Sequence, residues 1–466
     1  GPMQWCAVGP GRAFGLDRAV GLCTRGGMYG RAVCFRVLIY ITAFIIFSFT
    51  IGKMAPGWAA LLSNIVAVLV LIFLAKLTLK SKVREQTDEV SQNSPAVMPK
   101  LNLIGETEVK IWGMPLREWQ KRAFKKAGAA QSNTAPSTVH FAVEWVLSSA
   151  LAKAFVSGGK AALISGRQII GVNNVDEKTA QSLMGKSSNA LEGTGIKAVH
   201  PEELDDGYNK ALRKKEPPYA LSVNDTPIIE IQRRQFASSY KGITDFVTKW
   251  VWPLPAFYVT RACAALRLTP NMVTTIGLIL TFAAMYYFWQ GQWFLGFLAG
   301  WLMTFLDTVD GKLARTTMTY SWWGNIYDHG IDLIHPPFWY SAWFIGLGGV
   351  FSLASLWTDM MMLALAAIWI GYVLDRVIEG IFIAQHGFHI HVWRPINSAM
   401  RFITARRNPN MFIFMMGICL MPWFPEAGRW GFYAVALWTW VCIVFNIGVV
   451  LVGTIIRKPL QSWMDS

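Results

Sequence analysis

The sequence has few charged residues and few cysteines for its length. Of 466 residues, 15% are charged, whereas soluble domains carry about a quarter. That shortage excludes a chain that is water-soluble from end to end. The six cysteines show no CxxC spacing, which argues against a disulfide framework or a zinc site. Acidic residues are also scarce, at 28 against 43 basic residues, so the formal net charge is +15.

Apolar residues are abundant instead. Hydrophobic residues make up 53% of the chain and aromatic residues 14%, a composition typical of a membrane protein. The Lys and Arg residues that flank the apolar runs can all face one side of a membrane, which is then the cytoplasmic side. Membrane topology therefore explains the basic excess, and we expect no nucleic-acid partner. The predicted location is the cell (inner) membrane, with multiple spans and the soluble parts in the cytoplasm.

Alternating apolar and polar segments divide the chain. The runs Val37–Ile51 and Trp58–Ala75 predict a membrane hairpin. A polar region with mixed strand-like and helix-like periods follows, which predicts a small α/β soluble domain. Its segment "DDGYNKALRKKEPPY" predicts a helix that ends at two prolines. The predicted parts are a tail at 1–30, a transmembrane hairpin at 31–80, a linker at 81–100, a soluble domain at 101–232, an interfacial amphipathic segment at 233–268 and a six-span domain at 269–466.

The predicted fold class is an all-α polytopic membrane protein, a six-helix bundle with an N-terminal two-helix membrane hairpin and a small α/β soluble domain. Ahead of the bundle, Gly242–Leu268 mixes Trp and Tyr with Lys and Arg, as in a helix that lies in the membrane interface. The expected spans are Asn271–Trp289, Phe294–Arg315, Trp322–Gly346, Trp357–Ile383, Met411–Phe424 and Trp430–Ile456.

Four aspartates stand at the facing ends of the second and third spans of this bundle. Asp307 and Asp310 are three residues apart and share one helix face, and Asp328 and Asp332 are four apart and share another. A short turn joins the two helices, so we expect the two faces to meet. Clustered carboxylates repel one another unless a cation compensates them. Oxygen ligands at this density suit Mg²⁺ or Mn²⁺, and we expect two ions about 3.5–4 Å apart, as in many phosphoryl-transfer sites.

The residues between the two pairs favour a phosphate-containing ligand. Gly311, Ala314 and Gly324 are small enough for a ring or a phosphate to approach the backbone. Arg315 offers the forked donors that suit phosphate. Each feature also has a plain alternative, since small residues in membrane helices serve helix packing and an Arg at a helix end can simply mark topology.

The combined pattern resembles the signature of the CDP-alcohol phosphotransferase family, D-x₂-D-G-x₂-A-R-x₈-G-x₃-D-x₃-D. Every fixed position and every gap of that signature is present, and the resemblance covers roughly Gly242–Ile456. The segment "LTPNMVT" (Leu268–Thr274) also resembles the family's entry into its first span. The matching positions are Asp307, Asp310, Gly311, Ala314, Arg315, Gly324, Asp328 and Asp332.

The resemblance implies a reaction and a role for each matching residue. A hydroxyl acceptor attacks the β-phosphorus of a CDP-linked donor, the phospho-alcohol is transferred and CMP leaves, as in phospholipid or inositol-phospholipid biosynthesis. Asp332 is then the general base and shares the metal. The metal ligands implied are Asp307, Asp310, Asp328 and Asp332. The nucleotide-binding residues implied are Asn271, Asp307, Gly311, Ala314, Arg315 and Gly324. The family also implies a homodimer.

Basic residues beyond the motif are candidates for binding an acceptor phosphate. In the family, basic residues in this neighbourhood hold such a phosphate, and the candidates are Arg376, Arg406 and Arg407. An internal salt bridge with Glu379 is the alternative for Arg376. A positive-inside anchor is the alternative for the other two. The nearby histidines, His386, His389 and His391, are interpreted as part of an interfacial loop.

The segment "YNKALRKKEPPY", followed by "SYKGITDFVTKWVWP", resembles the join between domains in fused inositol-phosphate enzymes, which carry a cytidylyltransferase domain ahead of the transferase. No glycine-rich loop of the G-x-G-x-R type is present, so the soluble domain is interpreted as a degenerate relative that acts as a scaffold or a dimer contact. The likeness favours an inositol-type head group.

Two alternatives remain for the whole protein. In the first alternative the donor is CDP-diacylglycerol and the acceptor is a polar alcohol, so the protein is a phosphatidyltransferase. In the other pairing the donor is a CDP-linked polar alcohol and the acceptor is a lipid or a polyol. Membrane lipids are expected partners in both cases. A divalent-cation transporter is the alternative from another class, because carboxylates at membrane depth are also typical of transporters.

Overall fold

The computed structural model describes residues 99–129, 138–203, 208–209, 212–352, 354–456 and 460–464. The predicted tail and membrane hairpin, and the linker up to residue 98, lie outside the described residues. The described chain consists of an α/β domain followed by a helical bundle.

The α/β domain is built on a mixed five-stranded sheet, in the order β1-β4-β7-β6-β8. The β1–β4 and β6–β8 pairs are parallel, and β7 is antiparallel to both of its neighbours. The small α/β domain predicted from the mixed periods is therefore present. The strands of this sheet are β1 (Lys100–Ile104), β4 (Thr138–Ala142), β6 (Ala161–Ser165), β7 (Gln168–Asn173) and β8 (Lys197–Val199).

Short strand pairs and four helices complete this domain. Phe124, Phe141 and Phe155 form the centre of the core that joins the sheet to its helices. The helices are α1 (Leu116–Ala127), α2 (Ser149–Ser157), α3 (Glu177–Leu183) and α4 (Ile228–Ser238). The remaining strands are β2 (Lys110–Ile111), β3 (Met114–Pro115), β5 (Trp145–Leu147), β9 (Tyr208–Asn209), β10 (Lys214–Lys215) and β11 (Ala220–Ser222).

Two predictions about the end of this domain are wrong. The segment expected to form a helix before the two prolines is a hairpin, in which β9 pairs with β10. Arg213 adopts a left-handed φ of 53° at its turn, and the segment has too few apolar residues to bury one face of a helix. The expected boundary at residue 232 falls inside α4, which continues to Ser238.

The bundle begins after a π-helical turn, Val247–Val251. Its helices are α5 (Pro253–Ala265), α6 (Pro270–Trp289), α7 (Trp293–Thr316), α8 (Trp322–Gly346), α9 (Met360–His386), α10 (Pro395–Ile403), α11 (Arg407–Leu420) and α12 (Ala427–Ile455). Among the described residues, three of these have the length and apolar composition needed to cross a membrane, namely α6, α9 and α12. The six expected spans correspond in order to α6, α7, α8, α9, α11 and α12, and the count of six crossings stays a prediction.

Five of the six helices start one to four residues away from the expected position, and the shifts of α9 and α11 have a local cause. Helix α9 begins at Met360 and not at Trp357, because the side chain of Asp359 accepts a hydrogen bond from the backbone N–H of Met361 and caps the helix. Helix α11 begins at Arg407, four residues earlier than expected. Pro409 falls in its first turn, where a proline is tolerated.

The α/β domain and the bundle share one hydrophobic core. Its buried side chains come from α1 and α4 on one side and from α5, α6 and α7 on the other, and include Leu116, Trp119, Phe236, Phe257, Val273 and Leu313. The α/β domain is therefore packed directly against the helix that carries the first aspartate pair.

Candidate active site

Helices α7 and α8 bring the two aspartate pairs together. Asp307 and Asp310 lie in the second half of α7, and Asp328 and Asp332 lie near the start of α8. The side chain of Ser321 caps α8 by accepting a hydrogen bond from the N–H of Gly324. Carboxylate oxygens of Asp307, Asp310 and Asp328 lie within 4.8 Å of one another. The structure therefore groups three of the four predicted metal ligands.

Asp310 is the most buried of these carboxylates. Its Oδ2 accepts a hydrogen bond of 2.6 Å from the hydroxyl of Thr274, while its Oδ1 is buried with no hydrogen-bond partner among the described residues. Burial of a carboxylate oxygen without a hydrogen-bond partner is costly. A bound cation would remove that cost, so this oxygen is suited to coordinate a metal ion. Thr274 was not predicted, although it lies in the "LTPNMVT" segment one helical turn after Asn271.

Arg407 links the fourth aspartate to the cluster. Its Nη1 donates to Oδ1 of Asp332 at 2.6 Å, and its Nη2 donates to Oδ2 of Asp307 at 2.5 Å. Arg407, which was predicted to bind an acceptor phosphate, thus lies among the aspartates. The side chain of Asp332 is 37% exposed, so it can be reached by a substrate.

Arg315 lies over the small residues of α7. A Cβ built on Gly311 would lie 3.0 Å from Nη2 of Arg315. Ala314, which precedes Arg315 in the chain, is buried. Nε of Arg315 donates to the backbone oxygen of Ser239 at 2.9 Å. The predicted phosphate-binding arginine is therefore held from the α/β domain, through the end of α4.

The segment after α4 adds Tyr240 and Lys241, which sequence reasoning missed, and Tyr240 contacts Lys312 of α7. The amine of Lys312 lies 3.5 Å from the centre of the Tyr240 ring. The neighbouring Lys241 is in the electrostatic field of Asp328 and Asp307. Burial, with a contribution from Arg213, lowers the pKa of Lys241 to about 8. No local pattern marks this segment as part of the site.

Asn271, in the first turn of α6, lies next to Gly324, in the first turn of α8. A Cβ built on Gly324 would lie 2.7 Å from Oδ1 of Asn271 and 2.9 Å from Oγ of Ser321. The two predicted nucleotide-binding residues are therefore neighbours, and the absence of a side chain at position 324 makes room for the Asn271 amide.

The close approach of Asn271 to Gly324 predicts the effect of a methyl group at this position. In Gly324→Ala, the Asn271 side chain must move, and we expect the KM for the CDP-linked donor that the motif resemblance implies to rise by roughly tenfold, with kcat less affected. Gly277→Ala is the matched control, because a Cβ there meets nothing within 4 Å and lies on the same helix as Asn271. Steady-state kinetics of both variants check this, and equal KM values would contradict it.

A second cluster surrounds Glu379 on α9. Its Oε2 accepts from Nη2 of Arg406 at 2.7 Å and lies 3.5 Å from Nη1 of Arg376. Its Oε1 lies 3.4 Å from Nδ1 of His389 and 3.8 Å from Nε2 of His391. Arg376 and Arg406 thus lie together, apart from the ion pairs of Arg407, and the pair that Arg376 forms is the internal salt bridge named as its alternative. The two histidines, interpreted as part of an interfacial loop, contact Glu379.

The Glu379 cluster contains more donors than acceptors. Nε of Arg376, Nε of Arg406, and both Nε and Nη1 of Arg401 are buried without hydrogen-bond partners among the described residues. Arg401 lies in the electrostatic field of Arg406 and Glu379. It belongs to the same basic segment as Arg406 and Arg407, for which acceptor-phosphate binding and a positive-inside anchor were the two interpretations.

The fold and the site together define a class: a multi-pass membrane protein, mainly helical, with a carboxylate cluster at the junction of two successive helices. Residues 267–438 match the family model described as CDP-alcohol phosphatidyltransferase, and this segment contains the complete motif. Over these residues the chain is therefore similar to the CDP-alcohol phosphatidyltransferase family. Enzymes of this family typically use divalent metals.

The chain is similar to an archaeal and to a mycobacterial lipid synthase. Archaetidylinositol phosphate synthase of Pyrococcus horikoshii is 38% identical over 79 residues, which are 17% of this chain and 42% of that protein. The chain thus spans less than half the length of this curated relative. The crystal structure of Mycobacterium tuberculosis phosphatidylinositol phosphate synthase with CDP-DAG bound is 18% identical, with a TM-score of 0.34, over 44% of this chain and 98% of that one.

Proposed function

We propose that this protein transfers a phospho-alcohol from a CDP-linked donor to a hydroxyl acceptor and releases CMP. The observation that carries the proposal is the joining of the motif's aspartates by α7 and α8, with three carboxylates within 4.8 Å, inside the segment that matches the family.

Asp307, Asp310 and Asp328 would hold two Mg²⁺ or Mn²⁺ ions, with Asp332 at the edge of the group. The donor set fits such ions, because all the ligands are carboxylate oxygens and Oδ1 of Asp310 is buried and unpartnered. When bound, the ions neutralise the pyrophosphate of the donor and stabilise the departing CMP.

Asp332 acts as the general base. In the transfer, the acceptor oxygen forms a bond to the β-phosphorus of the donor, the bond from that phosphorus to the CMP oxygen breaks, and the hydroxyl proton moves to the carboxylate of Asp332. Nη1 of Arg407 donates a hydrogen bond to this carboxylate at 2.6 Å and thereby orients it toward the acceptor.

Five residues would bind the nucleotide part of the donor beside Asp307. Arg315, held in place by Ser239, supplies charge to the phosphates. Gly311, Ala314 and Gly324 leave space for the ligand against the backbone, and Asn271 offers an amide next to Gly324.

The Glu379 cluster would bind a phosphate on the acceptor. Its unpartnered buried N–H groups on Arg376, Arg406 and Arg401 need acceptor oxygens, and arginine matches phosphate geometry. This favours the pairing of a CDP-linked lipid donor with a polar acceptor that carries a phosphate. The name of the Pyrococcus horikoshii relative, an inositol phosphate lipid synthase, supports an inositol-type acceptor.

The substrates can be identified with purified full-length protein, Mn²⁺ and a panel of CDP-alcohols. We expect CMP release with CDP-diacylglycerol and an inositol phosphate acceptor, and a phosphorylated inositol lipid in the mass spectrum. Release that requires a CDP-linked polar alcohol and a lipid hydroxyl would instead assign the opposite pairing.

The α/β domain would position α7. Nε1 of Trp119 on α1 donates to the backbone oxygen of Thr316 at 2.7 Å, and Nη1 of Arg122 donates to that of Thr317 at 3.4 Å. These carbonyls belong to the last turn of α7, where carbonyl groups lack partners within the helix. The soluble domain thus caps the helix that carries Asp307 and Asp310.

Loss of the hydrogen bond from Trp119 to the end of α7 is expected to lower turnover. In Trp119→Phe the ring largely remains, but the oxygen of Thr316 loses its donor, at a cost of about 1–3 kcal/mol. We expect kcat to fall several-fold while the KM for the donor changes less. Trp145→Phe is the control, because Trp145 is buried in the sheet core of the same domain. An equal loss of kcat in both variants would show that Trp119 acts only through domain stability.

A further inference from the structure

A cavity of about 370 Å³ lies between the α/β domain and α5, apart from the residues of the motif. Trp112 and Gly113 form one wall, Gln232 of α4 forms another, and Tyr258 and Arg261 of α5 line the third. The volume falls in the range of small-ligand sites. None of the catalytic, metal or nucleotide residues proposed above lines this cavity.

In the β2–β3 turn, which forms one wall of the cavity, the backbone adopts left-handed φ angles. Trp112 has a φ of 50° and Gly113 a φ of 73°, and a left-handed φ is uncommon for a bulky residue such as Trp. A Cβ on Gly113 would lie 2.2 Å from the backbone oxygen of Ala264, so the turn presses directly on α5. Nε1 of Trp112 donates to Oε1 of Gln235 at 2.6 Å, which holds the indole at the cavity.

Two polar groups of the cavity lack partners. Gln232 is 6% exposed, and its Oε1 accepts no hydrogen bond from the described residues. Arg261 lies 5.7 Å from the centre of the Phe257 ring, and no carboxylate of the described residues is within 4.0 Å of its guanidinium. The sequence has no acidic residue between Asp245 and Asp307. The cavity therefore offers one cation and one buried acceptor.

The cavity opens beside an apolar surface of α5. Leu254, Tyr258 and Leu266 are 69%, 48% and 72% exposed, which is typical of a helix that lies in the membrane interface. Tyr258 belongs both to this surface and to the lining of the cavity. A ligand with acyl chains could therefore cover the exposed leucines while its head group enters the cavity.

We propose that this cavity binds the head group of an anionic phospholipid whose polyol carries hydroxyl groups, at a site separate from the reaction. The phosphate pairs with Arg261, because arginine binds phosphate through charge-assisted hydrogen bonds. A head-group hydroxyl donates to Oε1 of Gln232. Phosphatidylcholine also carries a phosphate, but its choline cation offsets that charge and is repelled by Arg261, and its head group has no hydrogen-bond donor for Gln232.

Native mass spectrometry of the full-length protein in nanodiscs tests this proposal with phosphatidylglycerol and phosphatidylcholine as probes. We expect wild type to retain phosphatidylglycerol over phosphatidylcholine, and Arg261→Gln to reduce that preference by roughly tenfold. Arg233→Gln is the matched control, because Arg233 also lies over the Phe257 ring, at 5.9 Å, but is exposed and does not line the cavity. An equal loss in both variants would show general attraction to anionic lipid and overturn the proposal.

A second variant keeps the test sharp if Arg261→Gln fails to fold. Gln232→Leu removes the acceptor without a change in charge, and we expect it to lose the preference for phosphatidylglycerol while the arginines stay in place. Wild-type preference in this variant would contradict the proposed hydroxyl contact. Displacement of the lipid by millimolar inorganic phosphate would assign the cavity to a free anion and also overturn the proposal.

Discussion

Asp332→Asn is expected to lower turnover by about 10²–10⁴-fold, the range typical of a lost general base, while donor binding stays within about twofold of wild type. Asparagine is nearly isosteric, and its carbonyl can still accept the hydrogen bond that Nη1 of Arg407 donates to Asp332. The substitution therefore removes basicity while it conserves the local geometry. CMP release and equilibrium binding of the CDP-linked donor are the two measurements.

Asp359→Asn is the matched control for this variant. Asp359 caps α9 by accepting a hydrogen bond from the N–H of Met361 at 2.8 Å, and asparagine caps helices equally well. We expect wild-type turnover from the control. If Asp332→Asn releases CMP at the wild-type rate, Asp332 is not the base.

Asp310→Ala is expected to abolish both turnover and the binding of Mn²⁺. Its carboxylate is the buried member of the group of three, and its Oδ1 is buried without a hydrogen-bond partner among the described residues. Removal of one of few metal ligands leaves a site that cannot compensate the charge of the ion. Mn²⁺ binding, followed by electron paramagnetic resonance, and CMP release would both be measured.

Thr274→Val tests the hydrogen bond that orients the Asp310 carboxylate. Valine keeps the shape of threonine but removes the hydroxyl that donates to Oδ2 of Asp310 at 2.6 Å. We expect weaker Mn²⁺ binding, by about 10–100-fold as for other groups that orient a metal ligand, and turnover that recovers at high Mn²⁺. Full Mn²⁺ binding by Asp310→Ala would contradict the assignment of Asp310 as a ligand.

The aspartate pairs were predictable because their geometry is local. A spacing of three or four residues places side chains on one helix face, and a short turn brings the two faces together. The same reasoning extended to Gly311 and Gly324, whose neighbours in the structure are Arg315 and Asn271. Local periodicity and the motif were sufficient for this part of the site.

The remaining contacts could not be predicted, because they join distant parts of the chain. Arg407 lies 75 residues from Asp332 and 100 from Asp307 in sequence, and nothing near it distinguishes it from Arg406, which binds Glu379. Ser239 reaches Arg315 through its backbone oxygen, a group that every residue has. Only the packing of α4 against the bundle makes that contact.

The soluble domain shows the same division between local and distant information. Its mixed α/β character was predicted from periodicity, and the five-stranded sheet is present. Its docking on the last turn of α7 through Trp119 depends on the shared core and could not be inferred from α1 alone. The helix expected before the two prolines is replaced by the β9–β10 pair, because the segment has no apolar face that a helix could bury.

The most direct test of the proposed reaction follows both products in one experiment. Full-length protein in phosphatidylcholine nanodiscs receives CDP-diacylglycerol and inositol phosphate, with Mg²⁺, Mn²⁺ or a chelator. The proposed reaction predicts CMP and phosphorylated inositol lipid in equal amounts, only when metal and acceptor are both present. Asp332→Asn is expected to form both products about 10²–10⁴-fold more slowly. Flux of Mn²⁺ across the membrane of sealed vesicles, without CMP formation, would contradict the proposed reaction and identify a transporter.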